Sequence, residues 1–424
     1  MDINSILNKI SEFVWGKGLI FLLLSAGLIF TFKLRFIQFR FIPYLIKSIR
    51  QKNSGSKNGI SQLKTVCLSL GTAMGTGNII GVASALAIGG PGAVFWMWIS
   101  AFLGMALVYS ENYLAIIYRK KGECTGPMAY LRYGLGSPIL SYVFAAFCLA
   151  AALGMGGMSQ VGSFTSNLYS CINIKPIIAA VIIFIVIYSV IKGGISRIGS
   201  AAQALLPAVT IVYTFVSFLV IFKFRSNIPD AFRCIFSGAF SFTSAAGGIS
   251  GFAVSKAVSA GIRRGIFSNE AGLGSSPILH CASENESPSL QGMWSAFEVF
   301  FDTIFCCTIT ALVILTSSNC EVFSVTEAFS TILGSKSALF LTASMAIFAF
   351  CTIIGWYYCG ETAFRYLFGD SKLKSFSLIF AASSSLGAIL TLQTVWTLSD
   401  IFNGLMALPN LLGLILLINK VKRE

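Results

Sequence analysis

Charge is scarce in this chain. Asp, Glu, Lys and Arg together make up 11% of its 424 residues, whereas a soluble domain devotes about a quarter to them, so a water-facing shell of ordinary composition is excluded. Histidine is nearly absent. His280 is the single imidazole, and with no H-E-x-x-H most zinc and iron centres, which gather several His or Cys ligands, are removed. No G-x-S-x-G elbow occurs either, which removes the familiar hydrolase signature. The eleven cysteines never fall at C-x-x-C spacing, and Cys67, Cys148, Cys306, Cys307 and Cys351 sit inside apolar runs. They read as small buried hydrophobes, with neither a disulfide frame nor a metal cluster expected. Acidic residues are also few, 16 against 30 basic ones, giving a net charge of +14. That surplus would suit a nucleic-acid partner if it formed one patch. It is instead spread through short loops between apolar runs, where the positive-inside rule places it, so no nucleic-acid partner is expected.

What fills the chain is apolar: 55% of residues, with a mean hydropathy of +0.80. The apolar runs are continuous and about 20 residues long, which suits membrane-spanning helices rather than the alternating strands of a β-barrel. The expectation is an all-α polytopic protein with about 11 spans, at 18–32, 61–88, 93–118, 137–169, 177–191, 201–222, 234–258, 290–315, 338–367, 375–392 and 395–418, with a short helix at 325–333. Pro207 predicts a kink. The first apolar run has no small-residue cleavage site behind it and reads as an uncleaved span.

Alternating the loops puts Lys9, Lys17, Lys175, Lys223, Arg225, Arg233 and Lys336 on one side and the other 23 of the 30 basic residues on the side of the C-terminus. The N-terminus is therefore expected outside and the C-terminus in the cytoplasm of a cell (inner) membrane. The chain divides into 1–58 (first span and basic loop), 59–222 and 223–424, the last two holding five spans each. Two five-helix halves entering from opposite sides are the layout of an inverted-repeat secondary transporter.

The stretch 72–92, TAMGTGNIIGVASALAIGGPG, lies within the second span yet is dense in glycine, with Thr72, Thr76 and Asn78 among the glycines. An unsatisfied backbone group costs several kcal/mol in lipid, so a helix that loosens there must be covered by protein or line a wet cavity. Its freed amides would face an anion and its loose carbonyls a small cation, a pairing that suits a zwitterion carried with sodium or a proton. The competing reading is close helix packing, because Gly71/Gly75 and Gly77/Gly81 both satisfy G-x-x-x-G. A second glycine-rich stretch, SFTSAAGGISG in the 234–258 span, is expected to be the matching interruption.

The strings GTGNIIGVASALAIGGPGAVFWMW and GMALVYSENYLAIIYR (75–119), GIRRGIFSNEAGLGSSP (261–277), Gln291 with Gly292, and TIIGWYYCGE (352–361) resemble the alanine or glycine:cation symporter family, over nearly the whole chain. The resemblance implies a leucine-transporter-type core of five plus five helices after one extra helix. It implies symport of alanine or glycine, with D-alanine accepted, driven by sodium or protons, and no other cofactor. It places the substrate against Thr76, Gly77 and Asn78, with Gln160, the stretch Gly247, Gly248, Ile249 and Ser250, and Thr352, Ile353 and Trp356 around it. One departure is visible. Relatives carry an aromatic residue in the seventh-span break, where this chain has Ala246 and Ile249.

For a bound amino acid the amides of Gly77 and Asn78 would meet the carboxylate, and the Gln160 oxygen, the Thr352 hydroxyl and carbonyls near Gly247 the ammonium. Trp356 and Ile353 would limit the side chain to hydrogen or methyl. Oxygens at Thr72, Ala73 and Thr352 are expected cation ligands, and Arg264 with Glu270, read as lying in the loop after the seventh span, an expected inner gate. Five acids fall in or near apolar spans: Glu111, Glu298, Asp302, Glu361 and Asp400. Pairing with Lys256, Arg263 or Arg264, or exposure to a vestibule, is expected ahead of a proton relay, least so for Asp302. Two other classes compete. An intramembrane enzyme would use Glu298 and Asp302 as acid and base, and a channel would use the glycines as a filter; neither accounts for opposed broken helices.

Overall fold

In the computed structural model, residues 3–50, 59–120, 124–172, 174–240, 247–318, 320 and 322–422 are described. Helices start where a hydroxyl precedes the apolar run. Ser61, Ser137, Ser287, Ser324 and Thr391 each accept a hydrogen bond from an amide three residues on, and Pro138 and Pro288 occupy first-turn positions. Several end at a glycine of positive φ, such as Gly90 at 67° and Gly369 at 77°.

In chain order the helices are α1 (Ile3–Val14), α2 (Lys17–Lys33), α3 (Phe41–Arg50), α4 (Gln62–Ala73), α5 (Ile80–Gly89), α6 (Gly92–Ile117), α7 (Pro138–Cys171), α8 (Pro176–Ile191), α9 (Gly194–Lys223), α10 (Ile228–Phe240), α11 (Gly247–Asn269), α12 (Ser276–His280), α13 (Pro288–Ser317), α14 (Val325–Leu333), α15 (Ser337–Phe368), α16 (Leu373–Leu386) and α17 (Leu392–Leu416). No strand occurs among the described residues. Seven segments there are long and apolar enough to cross a membrane. The outward faces agree: Phe21, Phe32, Ile182, Ile185, Phe215 and Phe222 are all exposed, a surface suited to lipid and hostile to water.

The expected spans coincide with these helices to within a few residues except at 201–222, where α9 begins seven residues earlier, at 375–392, where α16 stops at Leu386, and at 234–258. There the chain forms α10 and a separate, longer α11 that runs on to Asn269. The stretch 241–246, which includes Ala246, lies outside the described residues. Gly247, Gly248, Ile249 and Ser250 form the first turn of α11. At 1.5 Å per residue they stand about 25 Å along the axis from Phe267, the residue that reaches the first interruption. The expectation that these four line the same site is therefore corrected. Arg263 and Arg264, expected in a loop, lie inside α11. With Lys256 they sit at the end of the bundle that carries Asp400, which removes these three from the 23 expected on the side of the C-terminus.

The core is built around α6 and α15. Helix α6 packs along α11 and α13, and α15 along α4, α7 and α9. Small residues allow the close approach: a Cβ on Gly104 would meet that of Ala271 at 2.8 Å. Helix α7 widens to π geometry at Ala152–Met158, where Gly154, Gly156 and Gly157 leave room for Phe402, Trp356 and Ser384. A second π segment, Phe300–Cys307 in α13, holds buried Asp302 and Thr303. Such widened turns concentrate at functional sites.

Candidate functional site

The first interruption is where the glycines place it. Helix α4 closes with the Met74 amide on the Leu70 carbonyl (2.7 Å), the Gly75 amide turns back to Ala73 (2.8 Å), and Thr76–Asn78 make one tight turn before α5 begins. Gln160 of α7 braces it, its Oε1 accepting from both the backbone amide and the hydroxyl of Thr76 at 3.0 Å. From α15, the Thr352 hydroxyl donates to the Gly71 carbonyl at 3.0 Å. Gly75 lies between them, and a Cβ there would stand 2.6 Å from Gln160 Oε1 and 2.7 Å from Thr352 Oγ1. That is closer than side chains approach, so the glycine is required by contact, and the G-x-x-x-G packing reading does not account for it.

The second interruption is at Glu270–Ser275, between α11 and α12. Glu270, Gly272 and Gly274 have φ of 56°, 86° and 85°; a glutamate in that region costs about 1–2 kcal/mol. Its side chain is fixed at both oxygens, with the Trp356 indole donating to Oε1 (2.8 Å) and the Ser275 hydroxyl to Oε2. The Gly272 carbonyl, freed from any helix, accepts from Asn410 at 2.9 Å, and Asn410 also donates to Glu111 at 2.5 Å. Everything at this turn from Asn269 to Ser275 is buried.

The two interruptions meet. A Cβ on Gly77 would lie 3.3 Å from the Phe267 ring and 3.7 Å from Ser268 Cα, so the last turn of α11 covers the tight turn of the first break. Asn78 and Ser268 converge on one carboxylate: Asn78 Nδ2 donates to Asp302 Oδ1 at 2.7 Å and Ser268 Oγ to Oδ2 at 2.7 Å, with the Thr303 hydroxyl at 2.8 Å.

Toward the Asp400 end, three planar groups form a stack. Phe267 lies on Trp396 with centroids 4.7 Å apart and planes 16° from parallel, and the Arg264 guanidinium sits 4.4 Å from the Trp396 ring. Arg263 and Arg264 both reach Asp400, at 2.9 and 3.4 Å. Cavities of about 260 and 330 Å³ open onto this layer, lined by Glu12 and Lys256 and by Ile80, Ser84 and Gln393, with Arg264, Thr397 and Asp400 common to both. The opposite end is tied by polar contacts between the start of α4 and the α12–α13 region. Ile60 bridges Ala282 and Glu284, Gln62 pairs with Gln291, and Ser69 donates to Glu298, which holds His280 at 3.1 Å. A cavity of about 380 Å³ lined by Thr125, Ser196, Tyr358 and Arg365 lies at that end.

Of the residues expected at the site, Thr76, Gly77, Asn78, Gln160 and Thr352 come together, and Ile353 and Trp356 are buried on the same stretch of α15. Thr72 is beside them, its hydroxyl donating to Leu68 at 2.6 Å and packed on Gly355. The Gln160 oxygen, expected to receive an ammonium, is engaged by Thr76. The expected gate is corrected: Arg264 pairs with Asp400, Glu270 pairs with Trp356 and Ser275, and the two belong to different layers because α11 carries the arginine a turn and a half before the break. Phe267, Ser268 and Trp396 were missed. An aromatic residue does stand beside the second break: Phe267, two residues before NEAGLGS. Pairing with a basic side chain holds for Asp400 and for Glu361, which bonds Arg365 at 3.3 Å, and Glu298 takes His280; Glu111 accepts from the neutral Asn410 amide, and Asp302 from Asn78, Ser268 and Thr303.

Known proteins resemble this chain over most of its length. The model of the sodium:alanine symporter family matches residues 1–424. The sodium/alanine symporter AgcS of Methanococcus maripaludis is 38% identical, over 100% of this chain and 97% of that protein. The probable sodium/glutamine symporter GlnT of Bacillus subtilis is 36% identical, over 96% and 87%. Among solved structures, a manganese transporter of Eremococcus coleocola superposes with a TM-score of 0.55 at 17% identity, over 87% of this chain and 81% of that one, which shows a shared fold.

Proposed function

We propose, from the premise that this chain belongs to the sodium:alanine symporter family, that it imports a small neutral amino acid, alanine or glycine and also D-alanine, together with sodium or protons. The protein is a membrane transporter and not an enzyme. The observation that carries the reading is the meeting of two interrupted helices at Gly75–Asn78 and Phe267–Ser275, sealed from both ends of the bundle. In a low-dielectric centre, backbone amides at Gly77 and Asn78 receive the carboxylate. The ammonium is met by the Thr352 hydroxyl and by the Gln160 oxygen, which exchanges the Thr76 hydroxyl for it. Ile353, Trp356 and Phe267 leave space for hydrogen or methyl, since overpacking discriminates by size. Oxygens of Thr72, Ala73 and Thr352 are the cation ligands on the α4 side.

Alternating access then moves one sealed end at a time. The Arg264–Trp396–Phe267 stack closes the side facing outward, and the Gln62–Gln291 and Ser69–Glu298 contacts close the cytoplasmic side. The eleven-span count, the paired five-helix halves at 59–222 and 223–424, the outward N-terminus and the cell-membrane location belong to the same proposal.

Purified protein in liposomes should accumulate labelled alanine when an inward sodium or proton gradient is imposed, and unlabelled glycine should compete while glutamine does not. No accumulation under either gradient would contradict the function, and competition by glutamine as strong as by glycine would contradict the small pocket. Gln160→Ala is expected to weaken apparent alanine affinity roughly tenfold, since it removes the acceptor that positions Thr76, a hydrogen bond worth about 1.5 kcal/mol. Wild-type uptake kinetics in that variant would remove Gln160 from the site.

A further inference from the structure

Two thiols stand apart from the buried set expected of the cysteines. Eight of the eleven are buried, whereas Cys171, Cys234 and Cys320 are half-exposed. Cys171 meets the Thr342 hydroxyl at 3.4 Å. Cys234 and Cys320 meet each other: 86 positions apart in sequence, their thiols share a hydrogen bond. They lie at the end of the bundle that holds Lys223, Arg225 and Arg233, the side assigned outward.

Packing of two elements builds this contact. Helix α10 lies against the last turns of α13. Asn227, just before α10, donates to the Thr316 carbonyl at 2.8 Å, and Cys234, seven residues on, is two turns along the same face. Beyond α13 the chain turns back. The Cys320 amide donates to the Leu315 carbonyl at 3.2 Å, and Cys320 has a φ of 65°, a region that residues other than glycine rarely enter. That turn keeps its Sγ 3.9 Å from the same carbonyl and against α10. Burial first, then the neighbouring Cys234 thiol and the Asp230 carboxylate, push the Cys320 thiol above its ordinary range. Cys320 therefore keeps its proton, and Cys234 is the sulfur from which exchange starts.

We propose that Cys234 and Cys320 are a disulfide-forming pair on the outward face, closed by exchange with a small external disulfide, and that the bond pins α10 to the end of α13. The outward placement rests on the orientation proposed above, and outside the cell disulfides persist. Cys234 attacks one sulfur of RS–SR, forming a mixed disulfide and giving its proton to the departing RS⁻. The Cys320 sulfur then attacks Cys234 Sγ, expels the second RS⁻ and passes its own proton to it. Two protein thiols are oxidised by two electrons, and one external disulfide is reduced to two thiols. Helix α10 leads toward α11, which ends at the second interruption, and α13 carries the widened segment Phe300–Cys307. A bond between α10 and α13 thus joins two elements whose far ends flank the amino-acid site, and it slows any transport step in which they part.

The test treats purified full-length protein with oxidised glutathione or with dithiothreitol, in detergent for mass and unfolding and in liposomes for uptake. The oxidised wild type should be lighter by two hydrogens, yield a linked Cys234–Cys320 peptide, unfold roughly 5 °C higher and lose part of its alanine uptake, with dithiothreitol reversing each change. Cys320→Ser should stop at the mixed disulfide and carry one glutathione on Cys234, and Cys234→Ser should carry none on Cys320. Two free thiols in the oxidised wild type, or a thermal shift in Cys234→Ser as large as in the wild type, overturns the pair. A bond that forms without changing uptake overturns the pinning. Labelling of both thiols by a membrane-impermeant maleimide in broken cells but not in intact ones overturns the outward placement. Absence of alanine uptake in the reduced protein as well counts against the substrate proposed above, and the mass and unfolding readouts then decide the pair.

Discussion

Gly75→Ala is expected to abolish amino-acid uptake while leaving the protein inserted and folded. The new methyl would stand 2.6 Å from Gln160 Oε1 and 2.7 Å from Thr352 Oγ1, and neither neighbour is free to retreat. Gln160 holds both the amide and the hydroxyl of Thr76, and Thr352 holds Gly71. Overpacking of this kind costs about 1–3 kcal/mol. Spent against the loaded state alone it lowers affinity by roughly 5- to 150-fold, and because it parts the two groups offered to the ammonium, the upper end is expected. Gly81→Ala is the internal control. Its Cβ would meet only Trp396, at an ordinary 3.6 Å, so uptake should stay within a factor of about two of the wild type, a change of under 0.5 kcal/mol. If the glycines served helix packing as a G-x-x-x-G stripe, the two substitutions would act alike. Transport rates measured with surface-expression controls separate these cases.

Glu270→Ala is the second large effect. It strands the Trp356 indole N–H and the Ser275 hydroxyl, two donors in a dry interior, at about 1–3 kcal/mol each. It also frees Trp356, whose ring packs on Gly156 and forms one wall of the site. Loss of uptake together with a lowered unfolding temperature is expected. Glu270→Gln should retain partial activity, because its oxygen still accepts one donor while its NH₂ meets the other. Equal behaviour of the two variants would show that acceptor chemistry at position 270 does not matter and that Glu270 is there for its backbone conformation alone.

Much of the bundle was legible because bilayer-length apolar runs and their Ser/Thr and Gly ends are local signals. The 325–333 helix appears at Val325–Leu333. The first interruption was legible for the same reason, since Thr76, Gly77 and Asn78 interrupt an otherwise continuous apolar run. The second was not. NEAGLGS is short, polar and preceded by Arg263 and Arg264, so by composition it looks like a loop, and SFTSAAGGISG, which has the right glycine content, drew the assignment instead. One signal could have found it. Gly272 and Gly274 repeat the two-residue spacing of Gly75 and Gly77. Tertiary partners left no trace of that kind. That Arg264 meets Asp400 and that Phe267 stacks on Trp396 depends on α11 and α17 crossing, with more than 120 residues between them in sequence.

Fixing an alanine molecule in place by electron cryomicroscopy of the protein in sodium-containing lipid nanodiscs tests the central claim most directly. The account predicts density for the amino acid between Gly75–Asn78 and Phe267–Glu270, its carboxylate toward the Gly77 and Asn78 amides and its methyl toward Trp356. Density confined to the Arg264–Asp400 vestibule, or beside Gly247–Ser250 with the two interruptions in direct contact, would contradict it.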